Sequence, residues 1–352
     1  MKKGILIGVG GFGGAWCADF VPYARDAVNK LDLVAIVDVK EENLQNAAVQ
    51  LGMRPDQCYT DARKAFEETK PDIAMLIVPP MFREQMIDLA LEFGCDIISE
   101  KPLSVSMESC IRIYKKVKAA GKKLTITMTH RFEQDKQSLQ REIQSGKYGP
   151  ISSIHASFTA AENSEGNPPD SWRYKVKHNY AMEGAVHQMD ILRSLSGANC
   201  KTVYCKSWAP EWASQKATAA LTLVAEMENG IICTFTGTGC SASNLNWWND
   251  DRIVAECRDA SLVLDHKVLT GHKAIDLTNE IRMEIPLHRQ KVWGNKWLLE
   301  QFLDWLEGGE EPVNTIDDNI QLMAMVFAAI ESIETGREVN VQEFLKKYMN
   351  EE

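Results

Sequence analysis

Short apolar runs alternate with amphipathic helical segments over about the first 130 residues of the chain. The runs are continuously apolar, which is typical of strands buried on both faces of a sheet. They lie at residues 4–9, 33–37, 73–78, 96–99 and 124–128. The helical patterns lie at 13–29, 41–51, 107–120 and, after Pro79-Pro80, through residue 94. This alternation predicts a doubly wound parallel sheet with helices on both faces.

The pattern changes after residue 130, where apolar and polar residues alternate with period two. This alternation is typical of an antiparallel sheet with one buried face. The strand candidates are 151–161, 217–227, 231–238, 252–258, 262–265, 274–277 and 282–285, and the helix candidates are 181–195, 296–307 and 317–335. The polar stretch 163–170 is expected to be a loop. We therefore predict an α/β protein in which residues 1–129 form the parallel domain and residues 130–352 an α+β domain with a large, mostly antiparallel open sheet. The second domain is expected to bind substrate and to form subunit contacts, and its last helices are candidates to pack back on the first domain.

Composition limits the classes of function. The 352 residues carry a formal net charge of −10, which argues against a surface for nucleic acid or anionic membrane. No run approaches the roughly 18 apolar residues of a membrane span. The start Met1-Lys2-Lys3 superficially resembles a signal peptide, but six glycines within the next 11 residues suit a helical signal core poorly. Nine cysteines without a C-x-x-C pair indicate reduced thiols rather than disulfides or a zinc site, so we expect a cytoplasmic protein without metal.

A glycine-rich turn follows the first strand candidate. The segment Gly8-Val9-Gly10-Gly11-Phe12-Gly13 fits G-x-G-x-x-G, opens a helix, and is followed by Asp38 at the end of the second strand. This is the context of a dinucleotide-binding Rossmann domain, in which the helix N-terminus receives the diphosphate and the acidic residue receives the ribose hydroxyls. Asp38 favours NAD over NADP because it would repel a 2′-phosphate, although Lys40 lies nearby and softens that exclusion. The alternative is a structural glycine turn with a surface aspartate.

Two further groups of residues carry candidate chemistry. Glu100-Lys101-Pro102 follows a strand and thus lies at the carboxyl edge of the sheet, where open α/β folds bind ligands. Glu183, His187 and Asp190 have spacings of four and three, which place them on one face of a helix. A histidine oriented by carboxylates suits general base catalysis near neutral pH. The alternatives are a surface ion pair for Lys101 and a surface charge cluster or a structural histidine for His187.

Together these residues resemble the Gfo/Idh/MocA family of sugar and polyol dehydrogenases, which includes inositol dehydrogenase and glucose-fructose oxidoreductase. The resemblance covers nearly the whole length. It is carried by the glycine fingerprint, Glu100-Lys101-Pro102, Arg131-Phe132, Trp172-Arg173, the histidine helix, and the tail from Gly308-Gly309 through Ser332 to Gly336-Arg337-Glu338-Val339.

The resemblance implies hydride transfer between NAD, or alternatively NADP, and a secondary alcohol of a sugar, glycoside or inositol. In that reading His187 is the base and Lys101 stabilises the developing alkoxide, while Glu183 orients His187 or binds the substrate. Cofactor-binding residues are then Gly8, Gly10, Phe12, Gly13, Asp38, Pro79, Glu100 and Lys101, and substrate-binding residues are His130, Trp172, Arg173 and Asp190. Trp172, Trp247 and Trp248 either stack on a sugar face or pack in the protein.

The chain departs from the family pattern at several positions, which puts the substrate in doubt. Glu183 replaces an Asp and Ala185 a Gly in the histidine helix, Arg83 replaces a histidine, and Thr129-His130 replaces Asn-Arg. Three alternatives stay open: internal redox chemistry on a glycoside through a 3-keto sugar with tightly bound NAD, a non-catalytic NAD-binding regulator, and a reductase of a non-sugar carbonyl or imine. A sheet covered on one face also predicts a homodimer or homotetramer.

Overall fold

The computed structural model describes residues 1–161, 176–214 and 218–350. The chain divides into two compact units. The first unit comprises Met1–Thr129 and Val292–Ile320, and the second comprises His130–Lys291 and Gln321–Glu352.

Strands are numbered in chain order over the described residues. They are β1 Lys2–Ile7, β2 Leu31–Val37, β3 Cys58–Tyr59, β4 Ile73–Leu76, β5 Asp96–Glu100, β6 Leu124–Thr127, β7 Ile151–Thr159, β8 Cys200–Trp208, β9 Ala220–Met227, β10 Ile232–Thr238, β11 Arg252–Cys257, β12 Ser261–Asp265, β13 Val268–Ala274, β14 Glu280–Ile285 and β15 Val339–Asn340.

Helices are numbered in the same way. They are α1 (residues 13–27, with π-type turns at Trp16–Phe20 and Tyr23–Ala27), α2 Glu41–Leu51, α3 Ala62–Thr69, α4 Pro80–Glu92, α5 Met107–Ala120, α6 Gln134–Gln144, α7 Val186–Ser196, α8 Gly294–Leu306, α9 Ile316–Thr335 and α10 Val341–Asn350. Short 3₁₀ turns lie at Pro55–Gln57 and Thr129–Phe132, and a π-type turn at Tyr180–Gly184 precedes α7.

The sheet of the first unit has the order β3-β2-β1-β4-β5-β6 among its described strands, and every neighbouring pair is parallel. The chain order reverses at β1, which has β2 on one side and β4 on the other. A crevice forms at such a reversal, outside the carboxyl ends of the strands, and ligands of open α/β sheets bind there. The residues that follow β1, β4 and β5 are therefore expected to line a ligand site.

Apolar side chains from the strands and from α8 form the core of the first unit. Leu6, Ile36 and Met75 from three adjacent strands are fully buried beside Trp16 of α1. Phe302 of α8 is also fully buried in this cluster, although it lies some 175 residues after β6 in the chain. Burial of one such aromatic side chain contributes about 1.5–3 kcal/mol, which explains why residues 292–320 group with the first unit.

The sheet of the second unit has the order β14-β13-β12-β11-β7-β10-β9-β8-β15. Among the described strands, β7 and β10 form the one parallel pair. Helix α7 packs on β7 and β10, where Phe158 and Phe235 are buried. The other side of the sheet carries alternate side chains that are more exposed. Tyr204, Val224 and Ile232 on adjacent strands are each at least 40% exposed.

The predicted fold class is confirmed: a parallel Rossmann sheet precedes a mostly antiparallel sheet. The predicted helices 41–51 and 107–120 coincide with α2 and α5. Signals at the helix ends explain this, because Gly52 and Gly121 end the two helices at positive φ and Ser106 also caps the first turn of α5.

Some sequence predictions were wrong. The strand expected at 274–277 is a turn between β13 and β14, since Asp276 accepts bonds from the backbone N–H groups of Thr278 and Asn279. The helix expected at 181–195 is two segments, a π-type turn and then α7. Strand β8 and helices α3, α6 and α10 were not predicted; α6 is mostly polar and gives little apolar periodicity. Among the described residues, no helix has both the length and the hydropathy needed to cross a membrane.

Candidate active site

The glycine-rich turn connects β1 to α1 at the point where the sheet order reverses. Gly8 has φ +89°, and a Cβ there would lie 2.6 Å from the carbonyl oxygen of Ile77, the residue after β4. A Cβ on Gly13 would collide with the carbonyl oxygen of Gly8. Both residues are bonded into the sheet: the N–H of Ile77 donates to the carbonyl oxygen of Ile7, and the N–H of Gly8 donates to that of Val37. Neither backbone oxygen can therefore move without disturbing a strand end. Both positions therefore require glycine.

Asp38 lies after β2 and fixes the glycine turn through its carboxylate. Its Oδ2 accepts from the backbone N–H groups of Val9 and Gly10, at 3.0 and 3.1 Å. Its Oδ1 accepts from the backbone of Lys40 at 2.9 Å and from the side-chain amide of Asn43 at 3.0 Å. The half-buried carboxylate thus accepts four hydrogen bonds. It also places a negative charge beside the turn, which suits the ribose hydroxyls of NAD and disfavours a 2′-phosphate.

Arg83 connects the loops that follow β4 and β5. Its buried guanidinium donates to the carbonyl oxygen of Val78 at 3.0 Å and to that of Pro102. Pro79, a predicted cofactor residue, lies beside Val78 and is half-buried at the start of α4. Phe12, at the glycine turn, is 52% exposed. Arg83, which stands where the family usually has a histidine, therefore links the segments after β4 and β5 through hydrogen bonds to both.

Glu100 is the last residue of β5, and its side chain points into the first unit. It accepts from the indole Nε1 of Trp16 at 3.0 Å and from the backbone N–H of Lys101 at 3.3 Å. Burial raises the pKa of the Glu100 carboxyl, opposed by a hydrogen bond from Thr127 and by nearby cationic groups. These contacts hold the loop that carries Lys101, and the cofactor-binding role that the sequence predicts for Glu100 stays a prediction. The Lys101 side chain is half-buried beyond the carboxyl end of β5.

In the second unit, His187 lies in the first turn of α7 and is 3% exposed. Its ring is stacked on the ring of His130, with centroids 3.8 Å apart and planes 10° from parallel. The indole of Trp248 meets both rings edge-on, at centroid distances of 4.9 Å to His130 and 5.6 Å to His187. Trp248 itself is 41% exposed, so its indole contacts both buried imidazoles and also reaches the surface of this unit.

Asp190 and Glu183, the two acidic residues predicted to lie beside His187, differ in their secondary structure and burial. Asp190 is 1% exposed, and its Oδ2 lies 3.2 Å from Nε of Arg131 while its Oδ1 lies 4.0 Å from Arg193. These contacts place Asp190 in an internal ion pair, and its predicted substrate-binding role stays a prediction. Glu183 belongs to the π-type turn before α7 rather than to the same regular helix, and it is half-buried.

A buried polar network next to Trp248 was not predicted from the sequence. Lys136 of α6 is 1% exposed and donates to Asp135 at 3.0 Å and to the backbone oxygen of Asn249 at 2.7 Å. Its Nζ also lies 3.6 Å from Asp251, which accepts from Gln188 of α7 at 2.7 Å. Burial raises the pKa of the Asp251 carboxyl, and Lys136 opposes that rise. No sequence signal marks this network, because a lysine in a polar helix normally indicates a solvated face.

Trp172 and Arg173, predicted to bind substrate, lie outside the described residues. Within the described ranges 1–161, 176–214 and 218–350, no group of three or more histidine, cysteine or acidic side chains could hold a metal ion.

Comparison with known proteins gives consistent matches along the chain. Residues 3–128 match the oxidoreductase family with an NAD-binding Rossmann fold named GFO_IDH_MocA, and residues 137–263 match the GFO/IDH/MocA C-terminal domain. The uncharacterized protein y4oX of Sinorhizobium fredii is 34% identical over 98% of this chain and 97% of its own. Inositol 2-dehydrogenase of Corynebacterium glutamicum is 24% identical over 66% of this chain and 66% of that enzyme.

The fold also resembles solved structures. The structure of levoglucosan dehydrogenase in complex with NADH and L-sorbose superposes with a TM-score of 0.83 at 18% identity, covering 98% of this chain and 100% of that one. At this identity the likeness concerns the fold.

Proposed function

Because the chain belongs to the Gfo/Idh/MocA oxidoreductase family, we propose that it transfers hydride between NAD and a secondary alcohol of a sugar, glycoside or inositol. The observation that carries the proposal lies in the first unit. The glycine turn after β1 and Lys101 after β5 are at the same carboxyl edge of the parallel sheet. A cation and proton donor at that edge suits chemistry on a bound dinucleotide. The relatives named inositol 2-dehydrogenase support an alcohol of this class as substrate.

The residues of the first unit fit NAD. Gly8 and Gly13 leave room that a Cβ would fill, and Asp38 offers a carboxylate for the ribose hydroxyls. We assign Gly10, Phe12 and Pro79 to the same site. When bound, NAD supplies a hydride acceptor at C4 of the nicotinamide.

We assign the proton chemistry to Lys101 and His187. Lys101 hydrogen-bonds the reacting oxygen and stabilises negative charge as the alcohol loses its proton. His187 accepts that proton, since a neutral imidazole is a competent base near neutral pH. Glu100 and Arg83 act through Lys101 by holding its loop. Trp248 offers an aromatic face to the apolar C–H surface of a sugar ring.

The test is NADH formation at 340 nm with a panel of inositols, aldoses, glycosides and sugar acids, with NAD and NADP in parallel. An active alcohol is expected to lose at least about 100-fold in turnover in Lys101→Ala and in His187→Phe, while NAD binding persists. Lys70→Ala, which replaces an exposed lysine of the first unit, is the matched control. Near-normal turnover in Lys101→Ala removes that residue from the mechanism.

The same panel separates the alternative functions. Cofactor that copurifies and cycles without net NADH release, while a glycoside is consumed, indicates internal redox chemistry through a 3-keto sugar. NAD binding without turnover of any alcohol, carbonyl or imine indicates a regulator. Turnover confined to a non-sugar carbonyl or imine indicates the third alternative.

Assembly and location complete the proposal. Tyr204, Val224 and Ile232 place apolar surface on one side of the second sheet, and we assign this side to a contact between identical subunits in a dimer or tetramer. Light scattering tests this, and a monodisperse monomer contradicts it.

All nine cysteines are free thiols, which supports a reducing, cytoplasmic location.

A further inference from the structure

Lys136 of α6 is a buried cation to which the proposed reaction gives no role. Its ammonium donates to the Asp135 carboxylate at 3.0 Å. It also donates to the backbone oxygen of Asn249 at 2.7 Å and to the side-chain oxygen of that residue at 3.2 Å. A buried ammonium is costly without such bonds, and a buried ion pair is often no more stabilising than apolar packing. The distinctive effect of these bonds is that they fix the place of Asn249, which accepts two of them.

Asn249 is one of the two central residues of a turn, and Trp248 is the other. The backbone N–H of Asp250 closes the turn by donating to the carbonyl oxygen of Trp247 at 2.8 Å. Asn249 has φ +65°, in the left-handed region that asparagine tolerates better than most residues. Because the backbone conformation at Asn249 shapes the turn, the bonds from Lys136 also determine the direction in which the turn presents the Trp248 side chain.

Asp251 connects the same turn to α7. Its Oδ1 accepts from the side-chain amide of Gln188 at 2.7 Å, and its Oδ2 lies 3.6 Å from the Lys136 ammonium. Both Asp251 and Gln188 are buried, and Gln188 directly follows His187 in α7. The polar contacts therefore hold the turn of Trp248 between α6 and the helix that carries His187.

Another contact of the turn lies at the surface. Oδ2 of Asp250 is 2.9 Å from Nδ1 of His266, whose side chain is exposed. Exposed pairs of this kind contribute little, because water and salt screen them. Of these two contacts, the buried one with Lys136 is therefore expected to hold the turn more firmly than the exposed one with His266.

We propose that Lys136 is a positioning residue for Trp248, and that through the indole it determines how tightly a ring-shaped alcohol is bound. The proposal rests on the proposed function, which assigns Trp248 to the C–H surface of a sugar ring. Loss of the ammonium lets the turn at residues 247–250 relax, so the indole leaves its place beside the imidazoles of His130 and His187. Binding of the alcohol then weakens, whereas the chemical step is retained.

Two kinds of variant disturb the turn while retaining Trp248. Lys136→Met keeps the length of the side chain without the ammonium, and Lys136→Met/Asp251→Asn also neutralises a carboxylate that would otherwise stay buried without its cation. The double variant thus separates positioning from stability. Asn249→Val retains Lys136 and opposes the left-handed backbone, because a β-branched residue is an outlier at positive φ. Asn249→Gly, which adopts this φ freely, is its matched control. His266→Gln is the control for the exposed contact of the turn.

The direct test is ¹⁹F NMR of the protein labelled with 5-fluorotryptophan, which needs neither cofactor nor substrate. The chain has nine tryptophans, and Trp248→Phe assigns the signal of interest. That signal is expected to shift in both Lys136 variants and in Asn249→Val, and to keep its position in Asn249→Gly and His266→Gln. Unfolding curves identify the variants that remain folded. An unshifted Trp248 signal in the folded Lys136 variants and in Asn249→Val overturns the proposal. A shift in His266→Gln as large as that in Lys136→Met also overturns it.

Steady-state kinetics with the active alcohol gives a readout that a merely structural role would not move. In Lys136→Met/Asp251→Asn, KM for the alcohol is expected to rise about 3-fold to 10-fold, the range for loss of one aromatic contact. Over the same comparison kcat and KM for NAD should stay within about twofold. In a Trp248→Ala background the same double change should have no further effect on kcat/KM, because Lys136 acts through the indole. Additive losses, or a lower kcat with KM unchanged, overturn the proposal.

The two experiments distinguish this proposal from the proposed function. A shifted Trp248 signal together with a substrate panel that is negative for every alcohol would overturn the proposed function and leave Lys136 as the residue that positions the indole. An active alcohol together with an unshifted signal would overturn the role of Lys136 alone.

Discussion

Asp38→Asn is a sharp test of how the first unit recognises NAD. The substitution preserves the size of the side chain but replaces one carboxylate oxygen by an NH₂ group, which donates hydrogen bonds and cannot accept them. Each oxygen of Asp38 accepts two donors: Val9 and Gly10 on one, Lys40 and Asn43 on the other. In either orientation of the amide, its NH₂ group faces two N–H donors that previously bonded a carboxylate oxygen. The glycine turn or the start of α2 therefore loses its acceptor.

The magnitude follows from these bonds. A hydrogen bond to a charged group contributes about 1.5–3 kcal/mol when buried, and Asp38 is only half-buried, so two lost bonds cost about 2–4 kcal/mol. These bonds are internal to the protein, so their loss weakens NAD binding only as far as the turn must be re-formed around the cofactor, which sets a limit of about 30-fold to 800-fold. The loss of negative charge works in the opposite direction for NADP. A unit charge at about 4 Å from a phosphate interacts by about 4 kcal/mol at an effective dielectric constant near 20, so the preference for NAD should fall by at least about 10-fold.

The assay is calorimetric titration of the protein with NAD and with NADP, in the original chain and in Asp38→Asn. Asp32→Asn is the matched control, because Asp32 lies on β2, the strand that Asp38 follows, and is exposed. Unfolding curves show whether both variants remain folded. Unchanged NAD affinity together with an unchanged ratio of NAD to NADP would refute the role of Asp38 in cofactor recognition.

Three further predictions concern stability and catalysis. Arg112 and other donors lower the pKa of Glu84 to about 2 from 4.5, so its stabilisation is complete above about pH 4.5 and is lost as pH falls toward 2. Urea unfolding of Glu84→Gln should show a loss of about 1–3 kcal/mol at pH 7 that disappears near pH 2; a pH-independent loss would contradict this. Lys136→Met should cost about 3–5 kcal/mol, because Asp251 then loses a buried cation, and equal stability at pH 7 would rule this out. Arg83→His should lower kcat by about 10-fold to 100-fold with NAD affinity retained, since one imidazole cannot reach both carbonyl oxygens; unchanged kcat with the active alcohol would exclude a positioning role.

The fold of the first unit was largely predictable because its signals are local. Each strand is a short apolar run, and α2 and α5 end at glycines with positive φ. The sequence left room for the last helices to pack on the first domain, but it did not identify α8 as the helix that does so. Phe302 packs in the first core through contacts that join distant parts of the chain, and amphipathic periodicity does not identify the surface that a helix covers.

The candidate site was predicted unevenly for a similar reason. Motif spacing placed Gly8, Asp38 and Lys101 directly after strands, and the structure has them after β1, β2 and β5. Spacing also grouped Asp190 with His187, but could not show that Arg131 pairs with this carboxylate. The stack of His130 on His187 joins residues 57 positions apart, and only the folded second unit brings the rings together.

Two of the departures from the family resemblance, Arg83 and His130, have a common physical character. Arg83 and His130 are both 3% exposed, and each contacts the segment that presents a proposed chemical group. Arg83 holds the loop of Lys101 through the carbonyl oxygen of Pro102, and His130 covers one face of His187. A buried residue in such a position changes the direction and protonation of its neighbour without contributing a new reacting group. We therefore expect these positions to modify rate and pH dependence, and the exposed Trp248 to have the larger effect on which alcohol is accepted. Exchange of Arg83 or His130 for the family residue should change kcat and its pH limb more than the order of preference among alcohols. A reordered substrate preference in either variant would contradict this division of roles.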